Sequence, residues 1–347
     1  MNLRSAFDAP APAIVLAEGE FGKTGGKTGN GVVMHSELFD TQVVVDSETA
    51  GQTADEVLDS PGVEPIPVVG TMDEALAEAP ETEALVIGAA TAGGVLPDSW
   101  TEDIRAAMGA GCDVVSGMHA FLSEDEEWQA IADEAGVGLH DVRKPPTEAD
   151  LRVADGSVED VDADVVAVLG TDCAVGKRTT TFELYRAATD VGLDAGWVAT
   201  GQTGIMVGAH RGVVIDRLPA DFMPGVVEDL VKEVATDHEL VFVEGQASLT
   251  HRAYAGVTLA ILHGTWPDAV VLADDPAREE RSHYPQWTVE GVDREIELIE
   301  DLSEATVAAV STWGDPDEAR THHSLPAGNV YQESGADELL DAVLDVL

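Results

Sequence analysis

The amino-acid sequence predicts an α/β protein of two domains, each built on a parallel sheet. Its 347 residues are enough for two domains of ordinary size, and 44% of them are hydrophobic. Short apolar runs alternate with helical patterns along the chain, an order typical of parallel sheets covered by helices. The polar segment RKPPTEADLRVADGSVEDVDAD lacks this periodicity. We therefore place a boundary within it and assign residues 1–150 and 151–347 to the two domains.

The N-terminal domain is predicted to be Rossmann-like. Its buried strands are the apolar runs AIVLAEG, TQVVVDS, IPVVG, ALVIGAA, CDVVSG and VGLHDVR. Two helices, SWTEDIRAAMGAG and SEDEEWQAIADEAG, have acidic residues near their start and glycine at their end. Asp46 ends the second strand, as an acidic residue does in dinucleotide-binding folds, but the turn GEFGKTGGKTGNG before it lacks the G-x-G-x-x-G pattern. We predict this fold without predicting bound NAD.

The C-terminal domain is predicted to be P-loop NTPase-like. The apolar run DVVAVL precedes GTDCAVGKRTTT and a helix over residues 176–190, a succession typical of phosphate-binding loops. Five residues rather than four separate Gly170 from Gly176, and Arg178 stands where the usual pattern has Ser or Thr. Further strands are predicted at DAGWVATGQTG, ELVFVEGQ, DAVVLA and ATVAAVST, with helices at GVVEDLVKEVAT and ADELLDAVLDVL.

The loop itself is predicted to bind an anion. Backbone N–H groups around Gly176 and the N-terminus of the following helix would point at the anion, and Lys177 would add a positive charge. At Cys173 such a loop requires only a small side chain. The candidate cofactor-binding residues are therefore those of the whole segment: Gly170, Thr171, Asp172, Cys173, Ala174, Val175, Gly176, Lys177, Arg178 and Thr179.

Other candidate site residues follow the ends of predicted strands. Glu244 ends one strand and His251 comes soon after it, so both are candidate general bases. Parallel strands end at one edge of a sheet, so polar residues at these ends should converge. The substrate-binding candidates are Thr200, Gln202, Thr203, Gln246 and His119, with Arg143, Lys144 and Arg252 as cations for carboxylates. Because both domains contribute candidates, we expect the substrate site to lie between them.

The charge of the chain limits its partners. Acidic residues number 66 against 18 basic ones, and they are scattered along the chain rather than grouped. A surface of this kind excludes nucleic acid and anionic membranes as partners. No apolar run approaches the roughly 18–20 residues of a membrane span, and the N-terminus lacks signal-peptide features, so we expect a cytoplasmic protein. We also expect a homo-oligomer, and with only Cys112 and Cys173 as cysteines we predict no bound metal.

The same charge predicts a fold that depends on salt, as in proteins of salt-loving archaea. A net charge of −48 causes strong self-repulsion at low ionic strength, where the charges are poorly screened. The Debye length falls from about 30 Å at 0.01 M salt to about 3 Å at 1 M. We therefore expect the melting temperature to rise steeply between dilute buffer and molar KCl. A melting temperature that stays constant over this range would contradict the prediction.

Several segments together resemble the D-glutamate N-acetyltransferase family. They are SGMHAFLSEDEEW with HDVRKPP, GTDCAVGKRTT, TGQTGIMVG and VEGQASLTHRAY, and they are spread over nearly the whole chain. The resemblance implies a Rossmann-like domain, a P-loop domain, and acetyl transfer from acetyl-CoA to the amine of D-glutamate. The loop also resembles that of dethiobiotin synthetase, which begins Gly-Thr-Asp and ends Val-Gly-Lys. Ala247 and Arg252 depart from the family pattern, which tends to have glycine and proline there; these departures bear on the substrate more than on the fold.

Two enzymatic functions are compatible with these features. In an acetyltransferase acting on a small amino acid, the loop would hold the phosphates of acetyl-CoA without Mg²⁺, because Arg178 replaces the usual Mg²⁺-binding hydroxyl, and Glu244 or His251 would deprotonate the amine. In an ATP- and Mg²⁺-dependent ligase or kinase, Thr179 would supply the missing hydroxyl and Glu244 would hold the metal. A nucleotide-binding module without catalytic activity is the third alternative.

Overall fold

The computed structural model describes residues 1–60, 62–89 and 96–347. These residues divide into two compact units. The first unit comprises Met1–Pro145 and Gln202–Ala209, and the second comprises Pro146–Gly201 and His210–Leu347. A short segment of residues 202–209 thus groups with the N-terminal unit, although the chain on either side of it belongs to the C-terminal one.

The described residues form an alternating series of strands and helices. The strands are β1 (Ala11–Leu16), β2 (Phe39–Val45), β3 (Val68–Val69), β4 (Ala84–Ile87), β5 (Asp113–Ser116), β6 (Leu139–Asp141), β7 (Asp164–Gly170), β8 (Ala195–Ala199), β9 (Arg211–Gly212), β10 (Leu240–Glu244), β11 (Ala269–Asp274), β12 (Glu280–Arg281), β13 (Tyr284–Thr288), β14 (Thr306–Thr312) and β15 (Ala327–Gly328). The helices are α1 (Lys27–His35), α2 (Ala54–Leu58), α3 (Met72–Glu78), α4 (Asp98–Gly109), α5 (Glu126–Ala135), α6 (Lys177–Asp190), α7 (Gln202–Val207), α8 (Met223–Ala235), α9 (Ala255–Thr265), α10 (Val292–Leu302), α11 (Pro316–His323) and α12 (Gly335–Leu344).

The first unit is built on a parallel sheet with the strand order β3-β2-β1-β4-β5-β6. This is the strand order of a Rossmann-like sheet. The order reverses between β1 and β4, and all four residues of β4 are buried because helices cover both faces of the sheet. Gly29 of α1 approaches the loop after β4 closely, since a Cβ atom at Gly88 would lie 2.5 Å from the Cα atom of Gly29.

Asp46 lies where dinucleotide-binding folds hold a ribose, directly after β2. In this protein the buried carboxylate accepts hydrogen bonds from the N–H groups of Gly19 (2.5 Å) and Thr49 (3.1 Å) and from the hydroxyl of Thr49. These bonds tie the loop after β1 to the end of β2. The carboxylate of Asp46 therefore has a structural role within the unit.

The second unit is built on a parallel sheet with the strand order β15-β14-β11-β7-β10-β8-β9. Strand β7, which leads into the phosphate-binding loop, lies between β10 and β11. Strands β8, β10 and β11 are buried along their whole length. A separate antiparallel pair is formed by β12 and β13. The carboxyl ends of β7, β8 and β10 therefore meet at one edge of the sheet.

Several elements differ from the expectations drawn from the sequence. The run DAGWVATGQTG is a strand only over β8, and helix α7 begins at its Gln202, after Thr200 and Gly201. The unpredicted elements include helices α1, α2, α3, α9, α10 and α11 and the β12–β13 pair. The last residue of the predicted run ALVIGAA lies outside the described residues. Among the residues that are described, the structure contains no helix with the length and apolar character that crossing a membrane requires.

Candidate functional site

The phosphate-loop candidate, residues 170–179, connects β7 to α6. Gly176 adopts a φ of 100°, a left-handed conformation that favours glycine, and Ala174 also has positive φ at 53°. A Cβ atom at Gly176 would lie 2.6 Å from Nε1 of Trp313, so the loop turns directly beneath an indole ring. Helix α6 begins at Lys177, and its first N–H groups have no partner within the helix. The turn thus presents the features of an anion-binding loop.

Lys177 is almost completely buried at the start of α6. Its Nζ atom donates a hydrogen bond of 2.5 Å to the backbone oxygen of Asp172. Burial lowers the pKa of Lys177 to about 8, and the ionisable groups of Cys173, Asp172 and Glu244 oppose this shift. A bound anion would stabilise a buried ammonium group in this position.

Arg178 adds a second cation next to Lys177. Its Nη2 atom donates a hydrogen bond of 3.1 Å to the hydroxyl oxygen of Thr179, and its buried Nη1 atom has no hydrogen-bond partner among the described residues. Burial lowers the pKa of Arg178, and the nearby Glu244 opposes the shift. The Thr179 oxygen already accepts from a guanidinium group, an arrangement that disfavours a Mg²⁺ ion at the same oxygen.

Glu244 ends β10 and lies between the ends of β7 and β8. It is only 5% exposed, and its Oε2 atom accepts a hydrogen bond of 3.1 Å from the N–H of Thr200. Burial raises the pKa of Glu244 to about 7, although Arg178 and the N–H groups of Thr200 and Gly201 lower it in part. A carboxylate with this pKa can accept a proton near neutral pH.

The other polar residues at this edge are bonded to Glu244 and to one another. The Thr200 hydroxyl donates to the backbone oxygen of Glu244 at 2.7 Å, and the side-chain amide of Gln246 donates to the Thr200 hydroxyl at 3.0 Å. The structure therefore brings together three of the candidates that follow β8 and β10. Gln202 and Thr203, which follow Thr200 and Gly201 in the chain, belong to the first unit.

His251 is completely buried, and its two ring nitrogens have different surroundings. Nδ1 accepts a hydrogen bond of 3.2 Å from the N–H of Ala253, so the proton of the neutral ring is on Nε2. Nε2 has no hydrogen-bond partner among the described residues and lies 3.7 Å from Oδ1 of Asp172. Burial and the charge of Arg281 lower the pKa of His251. The ring is thus a neutral donor, and this arrangement favours Glu244 over His251 as the base.

Asp172 and Arg281 form a buried ion pair that the sequence did not single out. The Asp172 carboxylate accepts a hydrogen bond of 2.9 Å from the N–H of Ser282 and lies 3.4 Å from Nη1 of Arg281 and 3.5 Å from Nη1 of Arg278. The Arg281 guanidinium also donates to the backbone oxygen of Thr171 and to the hydroxyls of Ser248 and Thr250. The only signal in the sequence is a pair of arginines in the short stretch DDPAREERSHY of an arginine-poor chain.

Three aromatic rings contact the imidazole ring of His251. Tyr254 stacks on its imidazole ring, with 4.7 Å between the ring centres. Tyr284 and Trp287 of β13 stack on each other, with 4.9 Å between their centres, and both contact His251 with their edges. Arg252, a candidate carboxylate ligand, is exposed, and its guanidinium lies 5.0 Å from the centre of the Trp287 ring. This guanidinium is held by a cation–π contact.

Two of the predicted substrate residues meet in the first unit. Arg143 donates from Nε to the backbone oxygen of Gly117 at 2.9 Å and from Nη2 to Oε1 of Gln202 at 3.2 Å. Lys144, its neighbour in sequence, instead pairs with Glu124 at 3.3 Å. These contacts join the two cations to different residues.

Thr203 and His119 are the remaining candidates that lie in the first unit. The Thr203 hydroxyl lies 3.0 Å from the hydroxyl of Thr28 on α1, and the two share a hydrogen bond. His119 is exposed in the turn after β5. Their assignment to substrate binding stays a prediction.

A cleft of about 600 Å³ opens in the second unit at the ends of β14 and β15. Trp313, whose indole covers Gly176, lines one side of this cleft and is 43% exposed. Tyr331 contacts Trp313 edge to face, with 6.2 Å between the ring centres, and is 61% exposed. Asn329, Gln332 and Arg320 supply polar groups to the lining. Exposed aromatic rings thus lie directly beside the phosphate-loop candidate.

Two groups of side chains contain atoms of the types that bind metals. Asp172, Cys173 and His251 place one such atom each within 4.8 Å of one another, and so do the more exposed Asp293, His322 and His323. In the first group the Asp172 carboxylate is already bound by two guanidinium groups and an N–H. The cations around it disfavour a divalent ion there.

Comparison with known proteins places the chain in a family. Residues 152–340 match the P-loop domain of a family described as a domain of unknown function, DUF1611_C, and residues 47–145 match the Rossmann-like domain DUF1611_N. The crystal structure of a DUF1611 family protein from Anabaena variabilis superposes with a TM-score of 0.85 at 30% identity, covering 96% of this chain and 99% of that one. These matches confirm the predicted fold class of both domains.

Relatives with an assigned activity match part of the chain. The protein is 38% identical over 219 residues to a D-glutamate N-acetyltransferase of Tritonibacter scottomollicae and 37% identical over 190 residues to one of a Pseudoalteromonas species. The matches span 63% and 55% of the length of these relatives, and the same shares of this chain. They confirm the resemblance found in the sequence. Because the P-loop match alone covers more than half of the chain, the protein belongs to the DUF1611 family.

Proposed function

We propose that the protein transfers an acetyl group from acetyl-CoA to the amine of D-glutamate or a similar amino acid. The names of its two relatives support this reaction class. The observation that carries the proposal is the Glu244 carboxylate, buried beside the phosphate-loop candidate with a pKa of about 7. An amino-acid amine must lose a proton to become a nucleophile, and a base with a pKa near the working pH does this well.

In this reaction the amine nitrogen is acylated and the bond between the acetyl carbon and the coenzyme sulfur breaks. Glu244 takes the proton that the nitrogen loses, and the coenzyme leaves as a thiolate that takes a proton from solvent. Cations near the base serve two purposes: they bind the negatively charged ligands and they keep a share of the Glu244 population ionised. Arg178 and Lys177 are the cations that lower the pKa of Glu244.

The coenzyme is proposed to bind through its phosphates at the loop and the start of α6. The buried Lys177 ammonium and the unpaired Nη1 of Arg178 offer two cationic donors, and the N-terminus of α6 adds the positive end of its dipole. The exposed rings of Trp313 and Tyr331 beside the loop suit the adenine of the coenzyme, because planar bases stack on aromatic faces. The proposed acceptor site draws on Thr200 and Gln246 next to Glu244.

An ATP- and Mg²⁺-dependent ligase or kinase is the second candidate. The feature that favours it is the position of Glu244 at the end of the strand beside the loop, where P-loop enzymes hold an acidic residue near Mg²⁺. The feature against it is Thr179, whose oxygen accepts a hydrogen bond from Arg178. The two functions differ in their need for metal.

The proposal is tested by incubating the protein in molar KCl with D-glutamate and either acetyl-CoA or ATP and Mg²⁺, with L-glutamate as the matched acceptor. We expect release of free thiol from acetyl-CoA, one equivalent per N-acetylated product, and no loss of rate in EDTA. Stoichiometric consumption of ATP, with activity lost on chelation, would instead support the ligase or kinase.

Lys177→Ala is expected to weaken acetyl-CoA binding by about one to two orders of magnitude, because charge-assisted contacts contribute about 1.5–3 kcal/mol each.

In the wild type, the affinity for acetyl-CoA should fall as pH rises above about 8, the pKa of Lys177, because the deprotonated amine no longer attracts phosphate. Isothermal titration calorimetry measures both effects. Lys232→Ala on α8 is the matched control and should bind as the wild type does; equal losses in both variants would remove Lys177 from the coenzyme site.

A further inference from the structure

Cys173 lies in the phosphate-loop candidate next to two groups that suit a reactive sulfur. Its Sγ atom, a ring nitrogen of His251 and a carboxylate oxygen of Asp172 all lie within 4.8 Å of one another. The thiol is half-buried, whereas the other cysteine of the chain, Cys112, is fully buried in the core of the first unit. The acetyl transfer described above does not use this group.

The strongest sign of a ligand here is the Nε2–H group of His251. The ring is completely buried, its proton is fixed on Nε2 by the Ala253 N–H at Nδ1, and Nε2 has no hydrogen-bond partner among the described residues. Leaving such a buried donor unpaired is unfavourable, because its hydrogen bond to water is lost and not replaced. The neighbouring Asp172 carboxylate is engaged with Arg281 and Ser282. A negatively charged sulfur at Cys173 would be an acceptor of the right kind within this group.

Positive charge surrounds the same sulfur. The Lys177 ammonium lies close enough to Cys173 for a thiolate there to raise the pKa of Lys177. Arg278 donates hydrogen bonds to the backbone oxygens of Cys173, at 3.2 Å, and of Ala174, at 3.4 Å, so that its guanidinium lies over this part of the loop. Neighbouring cations and donors favour the thiolate, which is the nucleophilic form of cysteine.

We propose that Cys173 carries the acetyl group between the coenzyme and the amine, as an S-acetyl-cysteine. This inference rests on the proposed acetyl transfer and makes it a reaction in two steps. In the first step the Sγ thiolate attacks the thioester carbonyl carbon, the bond from that carbon to the coenzyme sulfur breaks, and coenzyme A leaves as a thiolate that takes a proton from solvent.

In the second step the amine nitrogen attacks the acetyl carbon, Glu244 takes the proton from the nitrogen, and Sγ leaves as a thiolate. The product is the N-acetyl amino acid, and no oxidant or metal is needed. The Nε2–H of His251 donates to the thiolate before and after each transfer, so His251 needs no proton transfer of its own. The pantetheine arm is a flexible chain, so a coenzyme with its phosphates at α6 can fold back to bring its thioester to the loop.

The experiment uses the only two cysteines of the chain. Acetyl-CoA is mixed, without amine, with the wild type, with Cys173→Ala and with the matched control Cys112→Ala. Each reaction is quenched, and the intact mass of the protein is measured by mass spectrometry. We expect wild type and Cys112→Ala to gain the mass of one acetyl group and to lose it on addition of D-glutamate. Cys173→Ala should gain nothing and lose about a hundredfold or more in kcat. Circular dichroism of each variant establishes that it is folded.

A second measurement is independent of the folding of any variant. Initial rates of the wild type at several concentrations of both substrates should give parallel reciprocal plots, as expected for a reaction through a covalent intermediate. Intersecting plots, or a Cys173→Ala variant that keeps the wild-type rate, would overturn the role of Cys173 and leave acetyl transfer itself standing. If the wild type neither releases coenzyme A thiol nor becomes acetylated, both proposals fall. Loss of acetylation in EDTA, restored by Zn²⁺, would assign Asp172, Cys173 and His251 to a metal instead.

Discussion

Replacing Glu244 with glutamine should lower kcat for acetyl transfer by about 10²–10⁴-fold, the usual contribution of a general base. Glutamine keeps the size of the side chain and can still accept from the Thr200 N–H, so the end of β10 should stay as it is. What the variant loses is a group that can take the proton of the amine. Steady-state kinetics with saturating acetyl-CoA measure the effect.

The pH dependence separates this role from a structural one. A base works only when it is deprotonated, so wild-type kcat/KM should rise with pH and level off above about 7, the pKa of Glu244. In the Glu244→Gln variant, kcat/KM should not show this rise with pH. Glu295→Gln is the control, because Glu295 is also buried with a raised pKa, but its carboxylate accepts from the N–H groups of Leu249 and Thr250. The Glu295→Gln variant should lose stability and keep the rise of kcat/KM with pH. A Glu244→Gln variant that also keeps this rise would refute the assignment of Glu244 as the base.

The same carboxylate also affects stability, with a defined sign. In the unfolded chain Glu244 loses its proton near its ordinary pKa of 4.5, whereas in the folded protein it keeps the proton up to about pH 7. The folded state therefore binds more protons between these values, so the contribution of Glu244 to the free energy of unfolding falls as pH rises from about 4.5 to 7. Above that range the wild type carries the full cost of a buried charge, which Glu244→Gln removes.

The parts of the site that depend on residues close together in the chain could be predicted from the sequence alone. The loop between Gly170 and Thr179 is recognisable because β7, the glycines, Lys177 and α6 follow one another in the chain. Glu244 and Thr200 could be placed together because parallel strands end at the same edge of a sheet. Both inferences use only short spacings and the geometry of parallel sheets.

The residues that were missed reach the loop from a distant part of the chain. Arg278 and Arg281 are more than a hundred residues from Asp172, and they lie at the β12–β13 pair, which has no clear alternating pattern. Likewise, the sequence offers His251 as a base, and only the hydrogen bond from the Ala253 N–H shows that its proton is on Nε2. A turn two residues later decides the chemistry of the ring, and no spacing rule predicts that.

Replacing Arg281 with methionine should lower the free energy of unfolding by about 3–5 kcal/mol, the usual cost of removing one partner of a buried ion pair. The completely buried Asp172 would keep Arg278 and the Ser282 N–H, but it would lose its contact with the Arg281 guanidinium. The backbone oxygen of Thr171 and the hydroxyls of Ser248 and Thr250 would lose a donor as well. Urea denaturation in molar KCl measures the change.

The comparison that makes this result specific uses a surface ion pair of the same kind. Arg294→Met breaks the pair between Arg294 and Glu297, whose side chains are 46% and 66% exposed, and should cost no more than about 1 kcal/mol. Adding Asp172→Asn to Arg281→Met should recover part of the loss, because the carboxylate left without its partner is then neutral. If the double variant is less stable than Arg281→Met by the full cost of Asp172→Asn alone, the two side chains are not coupled. Arg281 would then hold the loop through Thr171, Ser248 and Thr250 rather than through charge.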